Sequence, residues 1–432
     1  MYQMDEYRKI AEEMLAFIEK SPTSFHVTAN LGTELTKQGF RRLEETERWQ
    51  LEPGKGYFVT RNDSALIAFR LPEGGAPKGF HIAASHGDSP SYKVKEAPEM
   101  VAEGAYVKLN TEKYGGMIPA SWMDRPLSVA GRIAVKGENG IETRLVNIEE
   151  DLMVIPNLAV HMNGALGKGV EYNPQTDMLP LYAECGDEGG KGMLTARVAK
   201  EAGTELEQIL GQDLFLYVRE KGRILGADGA FLLSPRLDDQ QCAYTSSRAF
   251  WESIPRAYIN VCAVFDNEEV GSGTKQGANS TFLEDTLWRI GESMQLSRGD
   301  FLRLIAGSFL ISADNAHAVH PNHPEKADPT NKPLLNRGIV IKFHGSQKYA
   351  TDAMSAAEIR ILCEEAGVPC QTYANRSDIA GGSTLGNIST SHVSVASADI
   401  GLPQLAMHSA VETGGVKDTK YAVEMFRVFF MK

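Results

Sequence analysis

The chain has 432 residues, 42% of them hydrophobic and 23% charged, the balance of an ordinary globular protein and enough length for two domains. A formal charge of -12 argues against a nucleic-acid groove or an anionic membrane as partner, since both require clustered lysine and arginine, and favours a small or peptidic one. Five cysteines, odd in number and without CxxC spacing, indicate neither a disulfide framework nor a structural zinc knuckle.

The amino end, Met1-Tyr2-Gln3-Met4-Asp5-Glu6, lacks the basic and then apolar layout of a signal peptide, and no apolar run approaches the roughly eighteen residues that span a bilayer. A cytoplasmic protein with no membrane partner is expected. Tyr7, Ile10, Ala11, Met14, Leu15 and Ile18 recur at helical spacing until Ser21-Pro22, which predicts an amphipathic helix over 4–19. Apolar runs at 65–71 and 79–85 read as strands, the second stopping at His86. From 91 to 234 the texture is richer in β signals, with 132–136 and 141–146 flanking Gly137-Glu138-Asn139-Gly140 as a hairpin. Beyond Pro235 an α/β rhythm returns, with strands at 258–265, 309–313, 338–343 and 403–407 and a helix over 351–366 closed by Gly367. Residues 1–90 and 235–432 are therefore expected to form one α/β domain, interrupted by a β-rich domain at 91–234.

Acidic and imidazole residues fall just past these strands. Residues 80–85 deliver His86, 261–265 deliver Asp266-Asn267-Glu268-Glu269, 309–313 deliver Asp314 and 403–407 deliver His408. Open α/β sheets hold their ligands at such strand ends. Asp238 and Asp239 join them from a loop that opens with Ser234-Pro235 and leads into a helix. Two histidines with several carboxylates and no cysteine suit Zn²⁺ or a similar divalent ion in a site open to water and substrate. Two ions about 3.5 to 4 Å apart need a bridging carboxylate and further ligands on each side. Asp238 as the bridge, His86 with Asp314, and Glu269 with His408 meet that count. Glu268 is left over as general base, and Asp88 is placed to accept the proton on the other ring nitrogen of His86. Taken singly, each residue has a plainer reading: a hydrogen-bonded strand-end histidine, a solvated Glu268-Glu269 pair in a turn, a helix-capping Asp238-Asp239. The joint occurrence carries the argument. His317 and His320 are expected to hydrogen-bond rather than ligate.

Read in order, Ser85-His86-Gly87-Asp88-Ser89-Pro90, Ser234-Pro235-Arg236-Leu237-Asp238-Asp239, Asp266-Asn267-Glu268-Glu269-Val270-Gly271-Ser272, Ser312-Ala313-Asp314 through His320-Pro321-Asn322, and Met407-His408-Ser409 closely resemble the aspartyl aminopeptidase (M18) family of metallopeptidases. The resemblance implies a zinc-exopeptidase-like three-layer α/β/α catalytic domain with an inserted β-rich dimerisation domain, and homo-oligomers built from dimers up to dodecamers. It implies two divalent ions, Zn²⁺ with Co²⁺ or Mn²⁺ as alternatives, on His86, Asp238, Glu269, Asp314 and His408, with Glu268 as general base and peptides as substrates. Residues 155–162 are similar to the family segment whose histidine enters a neighbouring subunit's site, which assigns His161 to the tetrahedral intermediate. Lys342, Gly381, Gly382 and Ser383 fall in segments like the family's substrate pocket. Ala410-Val411-Glu412 after His408, and Ala380-Gly381 where the family often has Pro-Cys, depart from its pattern and leave the preferred amino-terminal residue open between acidic and neutral or broad. Hydrolysis of blocked amides and an assembly-forming scaffold are the competing functional readings.

Overall fold

A computed structural model describes residues 2–138, 140–162, 169–186, 189–382 and 384–432. The chain divides into two compact units, Met1–Asp88 with Gly222–Met407 and Glu412–Lys432, and Ser89–Lys221 with His408–Val411.

The first unit is built on a nine-stranded mixed sheet in the order Arg41–Arg42, Gly56–Arg61, Ala65–Arg70, Ile259–Phe265, Phe80–His86, Phe309–Ala313, Ala396–Gly401, Ile339–Phe343 and Cys370–Ala374. Ile259–Phe265, Phe80–His86, Phe309–Ala313 and Ala396–Gly401 run parallel at its centre. Phe80–His86 and Ile259–Phe265 are buried on both faces, so they read as nearly continuous apolar runs rather than alternating ones. Alternate side chains nonetheless enter different cores. Cys262 and Val264 pack with helices Ser24–Lys37, Leu237–Glu252, Ala353–Ala366 and Val416–Met431, whereas Val261, Ala263 and Phe265 pack with Phe282–Ser293 and Arg298–Ala306. Helices thus cover both faces of one sheet.

The local signals place these helices. Asp352 caps Ala353–Ala366 by accepting the Ser355 N–H at 2.8 Å, and Gly367 ends it at φ +64°, a left-handed conformation that glycine adopts without strain. The first helix spans Tyr2–Glu19. A second sheet of this unit joins Arg223–Leu225, Phe231–Ser234, Glu412–Gly415, Pro403–Leu405 and Ala316–His317. The strand expected at 403–407 belongs here, while the main-sheet strand beside Phe309–Ala313 is Ala396–Gly401, whose Ala-Ser-Ala-Asp start gives little strand signal.

The second unit carries a six-stranded antiparallel sheet in the order Gly140–Asn147, Leu127–Gly137, Ile209–Val218, Ser91–Ala102, Tyr106–Tyr114 and Leu181–Glu184. The expected hairpin is present, with Arg132 opposite Leu145 and Gly137 opposite Gly140. Tyr92, Leu109, Val129 and Leu216 are buried in its core, and helix Met193–Ala202 adds Leu194 and Val198. No helix among the described residues is long and apolar enough to cross a membrane.

Candidate metal centre

Strands Phe80–His86 and Ile259–Phe265 end in register, His86 opposite Phe265, and Phe309–Ala313 runs parallel on the other side of Phe80–His86. Their three carboxyl ends release His86, the turn Asp266-Asn267-Glu268-Glu269 and Asp314 next to one another. His86 is 1% exposed, with Nδ1 3.1 Å from the Asp88 carbonyl oxygen and 3.4 Å from Asp88 Oδ1. A proton on Nδ1 satisfies Asp88 and turns the lone pair of Nε2 towards Asp238 Oδ1 at 3.7 Å and Glu268 Oε2 at 4.0 Å. The Asp88 carboxylate also accepts the backbone N–H groups of Glu268 and Glu269, each at 3.2 Å. One aspartate therefore aims the imidazole and ties down the turn that carries two acidic side chains.

Asp238 and Asp239 open helix Leu237–Glu252 in non-helical conformations, joined by a cis peptide bond. The Asp238 N–H donates to Glu412 Oε2 at 3.0 Å, and Asp239 Oδ2 accepts the His86 N–H at 3.2 Å. Asn315, beside Asp314, donates to the Leu237 carbonyl at 3.0 Å and holds the start of this helix against the strand end. The ligand atoms of His86, Asp238 and Glu269 lie within 4.8 Å of one another, as do those of Asp238, Asp239 and Asp314. Asp238 belongs to both groups.

Burial pushes these carboxyls upward, and their mutual repulsion adds to it. Glu268 rises to about 8 against the pull of His86, and Glu269 and Asp239 lie well above the carboxylate range. Burial opposes the charge on His86, yet Asp88, Asp239 and Glu268 outweigh it and hold the imidazole well above its ordinary value. Lys342, 3% exposed, brings its Nζ to 3.6 Å from Asp314 Oδ1. Among the described residues, His86 approaches Asp238 and Glu268, Lys342 approaches Asp314, and Asp239 Oδ1 is buried without a hydrogen-bond donor. Buried acids so arranged fit a divalent cation, and oxygen donors with one imidazole nitrogen suit zinc or a similar ion.

The other residues singled out in the sequence lie as follows. His408 comes shortly after Pro403–Leu405, a strand of the small sheet rather than of the main one, adopts φ +66°, groups with the second unit, and accepts the Ile118 N–H on its carbonyl at 3.1 Å. His161 lies exposed on the turn Val160–Met162 of the second unit, between two strongly exposed apolar neighbours. Gly381 sits at φ +63°, where a Cβ would come within 2.3 Å of Asn375 Nδ2, and its carbonyl accepts from Lys348 Nζ at 2.9 Å. Gly382 is exposed, and Ser383 lies outside the described residues. His320 accepts the Asn322 N–H at 3.2 Å. The sequence reading brought Asp239 to the site with Asp238 but gave it no ligand role, and met Glu412 only as part of a departure from the family pattern after His408. Glu412 is buried and directed at the Asp238 amide and the Gln404 side chain.

Residues 17–430 match the family described as aminopeptidase I zinc metalloprotease (M18). The chain belongs to the M18 aminopeptidase family. It is thus a metallo-aminopeptidase, a hydrolase of a zinc metalloprotease family. A probable M18 family aminopeptidase 2 of Clostridium novyi is 47% identical over 426 residues, covering 98% of both chains. Among solved structures, the Ape4 and Nbr1 complex matches with a TM-score of 0.94 at 35% identity, over 98% of this chain and 86% of that one. The mApe1 dodecamer of S. cerevisiae matches with a TM-score of 0.86 at 28% identity, over 98% and 97%. The M18 fold of those relatives is the mixed sheet and separate antiparallel sheet described above.

Proposed function

We propose that His86, Asp238, Glu269, Asp314 and His408 of this M18 aminopeptidase would hold two divalent ions, Zn²⁺ with Co²⁺ or Mn²⁺ as working substitutes, with Asp238 as the ligand they would share. The observation that carries this reading is the membership of Asp238 in both donor groups. When bound, such a pair polarises the scissile carbonyl and acidifies the attacking water. Glu268 is the general base: its carboxylate stands 4.0 Å from His86 Nε2, and it would take a proton from the attacking water and pass it to the leaving amine. Asp88 acts through His86 and the 266–269 turn rather than on the substrate. Burial of Lys342 beside Asp314 supports a part in holding that ligand as well as in lining the pocket.

Substrates in this reading are cytoplasmic peptides that lose their amino-terminal residue into a pocket formed with Gly381, Gly382 and Ser383. Glu412 spends its charge on Asp238 and Gln404, so it no longer weighs against an acidic residue there. The preference stands between acidic and neutral or broad. The exposed turn bearing His161 supports its entry into a neighbouring subunit's site, where it steadies the tetrahedral intermediate, and the dodecameric yeast relative supports a dimer-based assembly.

The test is release of p-nitroaniline from Asp, Glu, Leu, Met and Lys substrates and an N-acetylated control, by apo, zinc-loaded and cobalt-loaded protein. Release should need metal and a free amine, and Glu268→Gln should lower kcat by about 10²- to 10⁴-fold. An active Glu268→Gln protein would take the base role from Glu268, and turnover of the acetylated control would make the enzyme an amidohydrolase of blocked substrates.

A further inference from the structure

Asp399 has no role in the site as described so far, yet its surroundings single it out. It lies on the central strand Ala396–Gly401, opposite Ser312, two residues before Asp314 on the neighbouring strand, and is fully buried. Its carboxylate accepts two hydrogen bonds from separate segments: Oδ2 from the Ala350 N–H at 2.5 Å, and Oδ1 from the Thr384 hydroxyl at 2.5 Å. Its own backbone N–H donates to Thr351 Oγ1 at 2.8 Å, which fixes the strand to the first of those segments a second time. A charge-assisted clamp of this kind is short and strongly directional.

The two segments converge on the metal centre by way of Lys342. Tyr349, next to Ala350, places its ring centroid 5.5 Å from Lys342 Nζ, and that ammonium lies 3.6 Å from Asp314 Oδ1. Lys348, one residue earlier, donates to the Ala380 and Gly381 carbonyls at 3.1 and 2.9 Å, so the 344–350 and 375–382 segments are also tied to each other. The negative charges of Asp314 and, less strongly, Asp399 favour the ammonium form of Lys342 against its burial. The backbone of Gly386 packs directly against Asp399: a Cβ there would come within 2.4 Å of both its carboxylate oxygens.

We propose that Asp399 is a positioning residue for the substrate pocket, clamping the 344–351 segment to Thr384 so that the wall beside Lys342 and Asp314 is preformed before an amino-terminal residue enters. This rests on the pocket assignment of Lys342, Gly381 and Gly382 above. A preformed wall lowers the ordering cost of binding, so loss of the clamp should appear in KM before kcat.

The experiment compares kinetics of the metal-loaded parent with Asp399→Asn, Thr384→Val and Thr384→Ser on the aminoacyl p-nitroanilide panel. Thr384→Val removes only the hydroxyl donor, and it should raise KM by about tenfold with kcat within about threefold, the scale of one lost hydrogen bond to a charged group. Thr384→Ser, which keeps the hydroxyl, should restore the parent KM, and Asp399→Asn should raise KM at least as much as Thr384→Val. Parent values in Thr384→Val, a Thr384→Ser enzyme as impaired as Thr384→Val, or a fall in kcat at constant KM would each overturn the proposal. The Thr384 pair decides the matter even where Asp399→Asn fails to fold. An inactive parent would instead overturn the functional reading, and the clamp's role with it.

Discussion

Asp418 shows how one buried side chain can make the fold depend on pH. It lies in the first turn of helix Val416–Met431, fully buried, and accepts the backbone N–H groups of Asn336 at 2.6 Å and Gly338 at 2.8 Å. Burial prevails over those two donors and pushes its carboxyl up to about 7. An unfolded aspartate titrates near about 3.9, so between about pH 4 and 7 the folded protein holds a proton that the unfolded chain has released. Stability from this group is therefore present at the acid end and lost as pH rises through the folded value. Asp418→Asn should flatten that slope, seen as a smaller difference between urea midpoints at pH 5 and pH 8. An unchanged difference would show that Asp418 is ionised in the folded protein throughout. Residues such as Asp418 and Asp399 were not legible in the sequence, because their partners are backbone groups about eighty and about fifty positions away. His86, Asp238, Glu268, Glu269 and Asp314 were legible, since each follows a recognisable strand or opens a helix.

At the scale of elements, what the sequence revealed depended on how burial shaped composition. The strands Phe80–His86, Ile259–Phe265 and Phe309–Ala313 stood out as apolar runs because both their faces are covered. Ala396–Gly401 lies in the same layer but contains Ser397 and Asp399, whose polar groups are satisfied internally, and so it lacks that signature. Pro403–Leu405 has the apolar signature and joins the other sheet, since hydropathy does not specify a pairing partner. Turn residues carry a different kind of information, and two glycines can be set against each other. Gly338 precedes strand Ile339–Phe343 at φ +84°, and a Cβ there would stand 1.9 Å from the Pro369 carbonyl oxygen. Gly367 ends a helix at φ +64° with open space around it. Gly367→Ala should cost about 1 kcal/mol, the price of left-handed backbone alone. Gly338→Ala adds a backbone collision and should cost roughly 2 kcal/mol or more, with Lys342 on the displaced strand. Urea denaturation of both variants gives the comparison, and equal losses would mean that the Gly338 segment relaxes freely.

At the scale of the whole molecule, the metal centre is where folding and function oppose each other. A main sheet with cores on both faces gathers Asp238, Asp239, Asp314, Glu268 and Glu269 into a buried cluster in which burial and neighbouring charges raise the pKa values of Asp239, Asp314, Glu268 and Glu269. Such a cluster favours the unfolded chain until a cation joins it, so metal binding and folding are linked. At a free zinc concentration near a hundred times Kd, the linkage is worth about 2.7 kcal/mol, and a chelator should lower Tm by about 3 °C, with zinc at that concentration restoring it. Replacing one donor separates the two effects. Glu269→Gln removes from the apo protein a buried acid whose ionisation the fold opposes, and from the loaded one a ligand, so it should raise the apo Tm and shrink the shift produced by zinc. A Glu269→Gln protein that is less stable than the parent in its apo form, yet keeps the full zinc shift, would show that Glu269 serves packing rather than the ion.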